Sequence, residues 1–195
     1  MPTMRRLVAD EAIYHIIQRG NNRQNIFRED EDFKKFLTLM KECMNKYTSE
    51  LYHYCLMSNH LHFLIRIYSR EEVAKFMQAL SQSYRFYYGK KYRYTGYLYQ
   101  GRFKSKLITN DEYLLECGRY IERNPIRAGI VKDPGSYQWS SYNYYADSYK
   151  SDIIKKNPLY AGLGNSLEKR QLAYREYVLT TRFYEKIIDK EFCIK

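Results

Sequence analysis

The chain has 195 residues, 45% of them hydrophobic, which excludes a disordered polypeptide and allows one domain with a real core and an appendage. Lys and Arg number 33 against 22 for Asp and Glu; the net charge of +11 suggests a polyanionic partner, nucleic acid before a membrane surface, because no basic amphipathic helix stands out. No apolar run reaches the length of a membrane span, the stretch MPTMRRLVADEA lacks a signal-peptide core, and Cys43, Cys55, Cys117 and Cys193 form no Cys-x-x-Cys pair, so the expectation is a cytoplasmic protein without a disulfide framework or a cysteine-based zinc knuckle.

Ala12 to Arg19 reads as a strand, broken by Gly20-Asn21-Asn22. His15 lies on it and suits a satisfied sheet histidine better than a ligand. From Asp30 to Tyr47 the spacing of Phe33, Phe36, Leu37, Met40 and Met44 predicts a helix, with Asp30 as N-cap. Leu51 to Met57 and Leu61 to Ile67 read as two strands joined at Ser58-Asn59 into an antiparallel hairpin. Alternate side chains of a strand share a face. His60 and His62 therefore point one way with Leu64, and Leu61, Phe63, Ile65 and Ile67 point the other way into a core. Two imidazoles fixed on one sheet face suit a metal, but two histidines also fall two apart by chance, and a third ligand has to come from elsewhere.

A second helix is expected from Arg70 to Tyr88, followed by the basic, aromatic stretch GKKYRYTG as a strand-binding loop or a solvated linker. Tyr97 to Ile108 reads as a last strand with Arg102, Lys104 and Lys106 on one face, able to meet phosphates. The order strand, helix, strand, strand, helix, strand is that of an α+β, ferredoxin-like fold: an antiparallel sheet with helices on one face, shared by RNA-recognition domains. Asn110 then caps a third helix that Pro125 is expected to end. Tyr113, Cys117, Tyr120 and Asn124 share a face of it, and Tyr120 and Asn124, four apart, are neighbours. Asn124 reads equally well as the cap of a further turn beginning at Pro125. An aromatic cluster packs Trp139 on the domain, and a final helix is expected from Leu167 to about Ile188. Residues 1–146 form the domain in this reading, and 147–195 a helical extension that is not an independent one. The 23 tyrosines, against a single Trp, interleave with basic residues in the manner that suits single-stranded nucleic acid.

Four stretches in series, YHIIQRGNNRQNIF, YCLMSNHLHFLI, YLYQGRFKS and YLLECGRYIERNPIRAG with YQWSSY after it, resemble the single-tyrosine HUH transposases, in particular the REP-associated tyrosine transposases. The likeness covers roughly residues 12–145; the family usually has Pro where this chain has Ser58, and the tail matches nothing assignable. The resemblance implies that His60 and His62 bind a divalent metal, magnesium or manganese, that Tyr120 is the nucleophile and that Asn124 supplies the third metal ligand. It implies single-stranded DNA folded into a hairpin as substrate, and either a monomer or a homodimer that shares active sites. Arg19, Arg23, Arg102, Lys104 and Lys106 are the candidates for DNA-backbone contact.

These residue types match the chemistry. A metal on a phosphate oxygen withdraws charge, and a phenol can then attack phosphorus to give a phosphotyrosine and a free hydroxyl end. A free tyrosine is mostly protonated at neutral pH, and no general base is evident; Glu116, one turn before Tyr120, suits a solvated helix position better. Two other classes stay open: a nucleic-acid-binding module of the same fold without catalysis, and a metal-dependent hydrolase in which water attacks.

Overall fold

A computed structural model describes residues 7–192, so Cys193 lies outside the described residues. The frame is four strands, β1 (Ala12–Arg19), β2 (Ser49–Met57), β3 (His60–Ile67) and β4 (Lys104–Leu107), in the spatial order β2-β3-β1-β4, with every pairing antiparallel. Alternation sorts the two faces. Tyr14, Ile16, Leu61, Phe63, Ile65 and Ile67 enter one core; Ile17, Cys55 and Leu64 enter a second, smaller one across the sheet.

Helices α1 (Asp30–Lys46) and α2 (Glu72–Tyr92) cover the first face. Phe36 and Tyr84 meet there at 5.0 Å, and Phe36 also stacks on Phe63 of the sheet. Each fully buried Phe or Ile contributes roughly 2 kcal/mol. The N-cap of α1 is Glu29, not Asp30, because the buried Asp32 carboxylate accepts the backbone N–H groups of Arg28 and Glu29. Helix α2 runs one turn further than its apolar stripe predicts. Lys90 and Lys91 belong to it, and Lys91 pairs with Glu29, Glu31 and Asp32 of the α1 start, so GKKYRYTG is only partly a loop.

Helix α3 (Asp111–Arg127) lies on the opposite face, so the sheet is covered on both sides rather than one. Gly118 permits the close approach: a Cβ there would sit 2.8 Å from the His53 ring of β2. Around that contact His53 donates to Glu122, which also accepts from Ser141 and Tyr174, a buried network joining β2, α3 and the later helices. The last strand is shorter than expected. Residues 97–103 form an irregular approach with a single bridge, Gly20 to Tyr99, and this takes Arg102 off the strand that carries Lys104 and Lys106.

Trp139 stacks on Phe33 at 4.6 Å just before α4 (Tyr142–Ala146). The final expected helix is two: α5 (Leu167–Leu179) and α6 (Tyr184–Phe192), with a corner at Thr180-Thr181. Among the described residues no helix is long and apolar enough to cross a membrane. Cys43, Cys55 and Cys117 are free and buried.

Candidate metal and nucleophile site

The smaller core holds more than apolar groups. His62 of β3 and His15 of β1 are fully buried on the face beneath α3, and His60 sits at its rim. The ring of Tyr120 comes down from α3 to 5.7 Å from His62 and 5.8 Å from His15, while His60 and His62 lie 5.0 Å apart. The short turn Ser58-Asn59 places His60 first on the strand, so both ligand candidates occupy one sheet face next to the helix that carries Tyr120 and Asn124.

Asn124 is not a cap. Helix α3 continues through Pro125 to Arg127, and Pro125 has no N–H for the Ile121 carbonyl. The side-chain amide of Asn124 takes that place, donating to Ile121 at 3.2 Å and to Tyr120 at 2.9 Å. Both amide hydrogens face the backbone, so the carbonyl oxygen is the group available to a ligand. Asn124 lines a cleft of about 300 Å³ together with Arg19, Arg23, Asn59, His60 and Arg127.

Burial and neighbouring groups set the protonation of the imidazoles. Asn59 Oδ1 lies 2.6 Å from His60 Nδ1, which fixes the proton on that nitrogen and leaves the Nε2 lone pair. His62 Nδ1 meets His15 Nε2 at 3.2 Å, and His62 Nε2 is buried with no hydrogen-bond partner among the described residues. Burial pushes His15 down to about 3; burial, and then Arg19, push His60 down to about 4; burial, then the neighbouring histidines and Arg127, lower His62 well below its ordinary value. All three are neutral at pH 7, as metal ligation requires. Two imidazole nitrogens and an amide oxygen fit a divalent ion such as magnesium or manganese. Among the described residues no three His, Cys, Asp or Glu side chains are grouped to hold one, so the third donor has to be of another type.

Tyr120 is fully buried, and its hydroxyl donates to Asp189 of α6 at 2.8 Å. Burial raises its pKa most, Arg127 lowers it and Asp189 raises it again. The Arg127 guanidinium lies 4.7 Å above the Tyr120 ring and pairs with the same Asp189. Helix α6 covers the site in several other ways. Phe192 packs edge-on to His15 at 4.6 Å, and Glu191 accepts from Tyr113 and pairs with Lys106. Lys104 donates to the Phe192 carbonyl at 2.6 Å, and Glu185 faces Arg119, Arg123 and Arg127.

The expected residues therefore divide. His60, His62, Tyr120 and Asn124 come together. Arg19 and Arg23 line the cleft beside them, and Arg102 lines a second depression of about 310 Å³ with Arg19 and Lys104. Lys104 and Lys106 do share the site's face, through the pairings Ile17 with Lys104 and His15 with Lys106, but both are engaged by α6. Glu116 is not solvated: it is buried among Arg119, Tyr177 and Arg182. Sequence reasoning passed over Arg127 and Asp189. The arginines at 119, 123 and 127 carry a signal, a helical stripe spaced by four; Asp189, in an unassigned tail, has none.

The family described as transposase, IS200-like, matches the chain over residues 8–124. Among solved structures, a REP-associated tyrosine transposase bound to a REP hairpin aligns with TM-score 0.67 and 15% identity, over 80% of this chain and 94% of that one. At that identity the likeness is one of fold. A putative transposase from Deinococcus radiodurans R1 aligns at 17% identity over 67% of this chain and 92% of that one, with a TM-score of 0.42, too loose to identify a shared fold. Among proteins of curated function none matches the chain.

Proposed function

The chain belongs to the IS200-like transposase family, and from that membership we propose that it nicks and rejoins single-stranded, hairpin-forming DNA through a covalent bond to Tyr120. The observation that carries this reading is the meeting of His60, His62, Asn124 and Tyr120 on one sheet face. It favours cleavage over a module that only binds, which needs no orphaned ligand nitrogen beside a buried phenol.

His60 Nε2, His62 Nε2 and the Asn124 side-chain oxygen would hold the divalent ion. When bound, such an ion withdraws charge from a non-bridging oxygen of the phosphodiester. Tyr120 Oη then attacks phosphorus. An Oη–P bond forms and the bond from phosphorus to the leaving sugar oxygen breaks. The phenolic proton passes to solvent and the leaving oxygen takes one up as a free hydroxyl, so no proton is consumed overall. A hydroxyl end can reverse the step, because no water has entered. Arg127 is placed to neutralise the phosphate beside the nucleophile. Arg19 and Arg23 line the approach. In the closed arrangement the Asp189 carboxylate stands between the Tyr120 hydroxyl and Arg127, where a phosphate would have to lie. Asp189 is therefore a stand-in for substrate rather than the base, and α6 has to withdraw before DNA can enter. Residues 147–192 act in this reading as an appendage clamped on the domain. In this reading ligands and nucleophile are drawn from one chain.

The test uses end-labelled hairpin DNA, manganese and a denaturing gel. A covalent protein–DNA band is expected, absent in EDTA and in His60→Ala/His62→Ala, while that variant keeps most of its DNA affinity, which basic residues supply. Cleavage without any covalent band would point to attack by water and overturn the reading.

A further inference from the structure

We propose that His15 is a positioning residue of the metal site: it accepts the Nδ1 proton of His62 and so keeps the His62 Nε2 lone pair turned toward the ion. The proposal rests on the reading of His60, His62 and Asn124 as ligands given above. His15 and His62 are both fully buried on neighbouring central strands, with ring nitrogens 3.2 Å apart. Behind His15, its Nδ1 lies 3.8 Å from Cys117 Sγ of α3. No carboxylate or backbone carbonyl forms a hydrogen bond with either ring among the described residues, so the protons in this row have only two orderly arrangements.

In the first, the Cys117 thiol donates to His15 Nδ1 and His15 Nε2–H donates to His62 Nδ1. His62 Nε2 then carries a hydrogen, buried with nothing to receive it. In the second, His62 Nδ1–H donates to His15 Nε2 and His15 Nδ1–H points at the Cys117 sulfur. His62 Nε2 is then a bare lone pair, and the donor at the end of the row is a thiol, a much weaker one than an imidazole N–H, with the Tyr113 hydroxyl beside it. Either way His62 Nε2 lacks a partner, and in a dry core an N–H without an acceptor is a rarer defect than a lone pair without a donor. The second arrangement wins, and it is the tautomer a metal needs. Asn59 does the same for His60 through Nδ1. Each imidazole ligand thus has its own acceptor, one an amide at the rim and the other a histidine in the core. Acceptors of this kind set ring orientation and ligand basicity.

Nitrogen-15 NMR of the unaltered protein, free of metal, reads the tautomer directly. Protonation at His62 Nδ1 with a bare Nε2 is expected; a hydrogen on Nε2 overturns the proposal. On adding zinc as a diamagnetic probe ion, the large shifts should fall on Nε2 of His60 and His62. A coordination shift on His15 would make it a ligand instead and would equally overturn the proposal. Two variants give a second readout. His15→Phe keeps a ring and removes the acceptor, and should weaken manganese binding by roughly 10–100-fold. His15→Gln offers an oxygen in place of Nε2 and should recover most of that loss. Unchanged manganese affinity in His15→Phe, or equal losses in both variants, would show the ring to be packing only. These readouts require no DNA cleavage, so a protein that binds metal as described but never forms the covalent adduct would defeat the proposed function and leave this inference standing. Absence of any metal effect at His60 and His62 would defeat both.

Discussion

Asn124 owes its orientation to the residue after it. Because Pro125 offers no N–H to Ile121, the Asn124 amide is drawn to the helix backbone and its oxygen is left for the cleft. Pro125→Ala restores the missing donor and should leave the fold as stable or more so, since an interior helical Pro costs up to about 3 kcal/mol. It should also release the Asn124 side chain and weaken manganese affinity by roughly tenfold, the lower end for loss of an orienting partner. Calorimetric titration with manganese beside a thermal melt checks both; unchanged affinity would mean that Pro125 does not orient the ligand. The two tyrosines of α3 separate in a similar test. Tyr120 touches the site histidines, whereas Tyr113 is tied to Glu191 near the helix start. Tyr120→Phe should eliminate the covalent adduct, and Tyr113→Phe should keep it, as read by peptide mass spectrometry of trapped protein. At this scale the sequence was informative where geometry is local. The strand spacing of His60 and His62 and the helical spacing of Tyr120 and Asn124 both carried through to the structure. The role of Pro125 did not, because a proline late in a helical pattern looks like a stop, and only the folded structure has a side chain replacing its lost hydrogen bond. His15 was legible as a buried sheet histidine, but its pairing with His62 depends on strand register across β1 and β3.

Helix α6 is held by charge as well as by the buried Ile188 and Phe192. Glu185 meets three arginines of α3, Asp189 meets Arg127 and Tyr120, and Glu191 meets Lys106 and Tyr113. Arg119 and Arg123 also donate to the Thr180, Val178 and Leu179 carbonyls, which closes the end of α5 against α3. Arg119 keeps Glu116 of its own helix, but Arg123 and Arg127 find their acidic partners in α6, so undocking exposes cations on the face where DNA would lie. Asp189→Asn keeps the side-chain volume and removes the charge that competes with phosphate. A charge-assisted hydrogen bond contributes about 1.5–3 kcal/mol, so its loss should raise the open population and the initial cleavage rate by roughly 10–100-fold under limiting DNA. A slower rate in Asp189→Asn, with folding intact, would identify Asp189 as a working part of the reaction rather than a cover. None of this was legible beforehand. The split of α5 from α6 falls at Thr180-Thr181, which has neither Gly nor Pro to mark it, and the reach of the tail back to the sheet is a contact between distant parts of the chain. The short β4 has the same origin: residues 97–103 have strand composition, but the chain there follows a bridge to Gly20 instead of a ladder.

Across the whole molecule, the ferredoxin-like order followed from the run of elements, whereas the helix on the second face did not, because a half-buried strand pattern does not say what covers its polar side. What covers it is a core containing three neutral imidazoles, and that has a consequence for the protein in acid. His15 and His60 have folded pKa values pushed down to about 3 and about 4, chiefly by burial, and His62 is lowered in the same direction. In the unfolded chain each titrates near 6.5. Above that value neither state takes up protons at these sites and stability is insensitive to pH. Below it the unfolded chain binds protons that the folded core refuses, so stability falls as the solution is acidified. The slope approaches about 1.4 kcal/mol per pH unit for each such histidine, and the loss continues until the folded values are reached. Asp32 and Glu50, whose folded pKa values are also lowered, add their own loss only near and below the ordinary carboxylate range. The interval from about pH 6.5 down to about 4.5 therefore belongs to the histidines. Urea midpoints of the metal-free protein should be flat between pH 8 and 7 and decline steadily through that interval. His15→Gln/His60→Gln should start from a lower midpoint and show a shallower decline, since two of the groups that drive it are gone. A wild-type midpoint that stays level from pH 7 to 4.5, or an unaltered slope in the double variant, would mean that these imidazoles accept protons in the folded state and are not shut away as their packing requires.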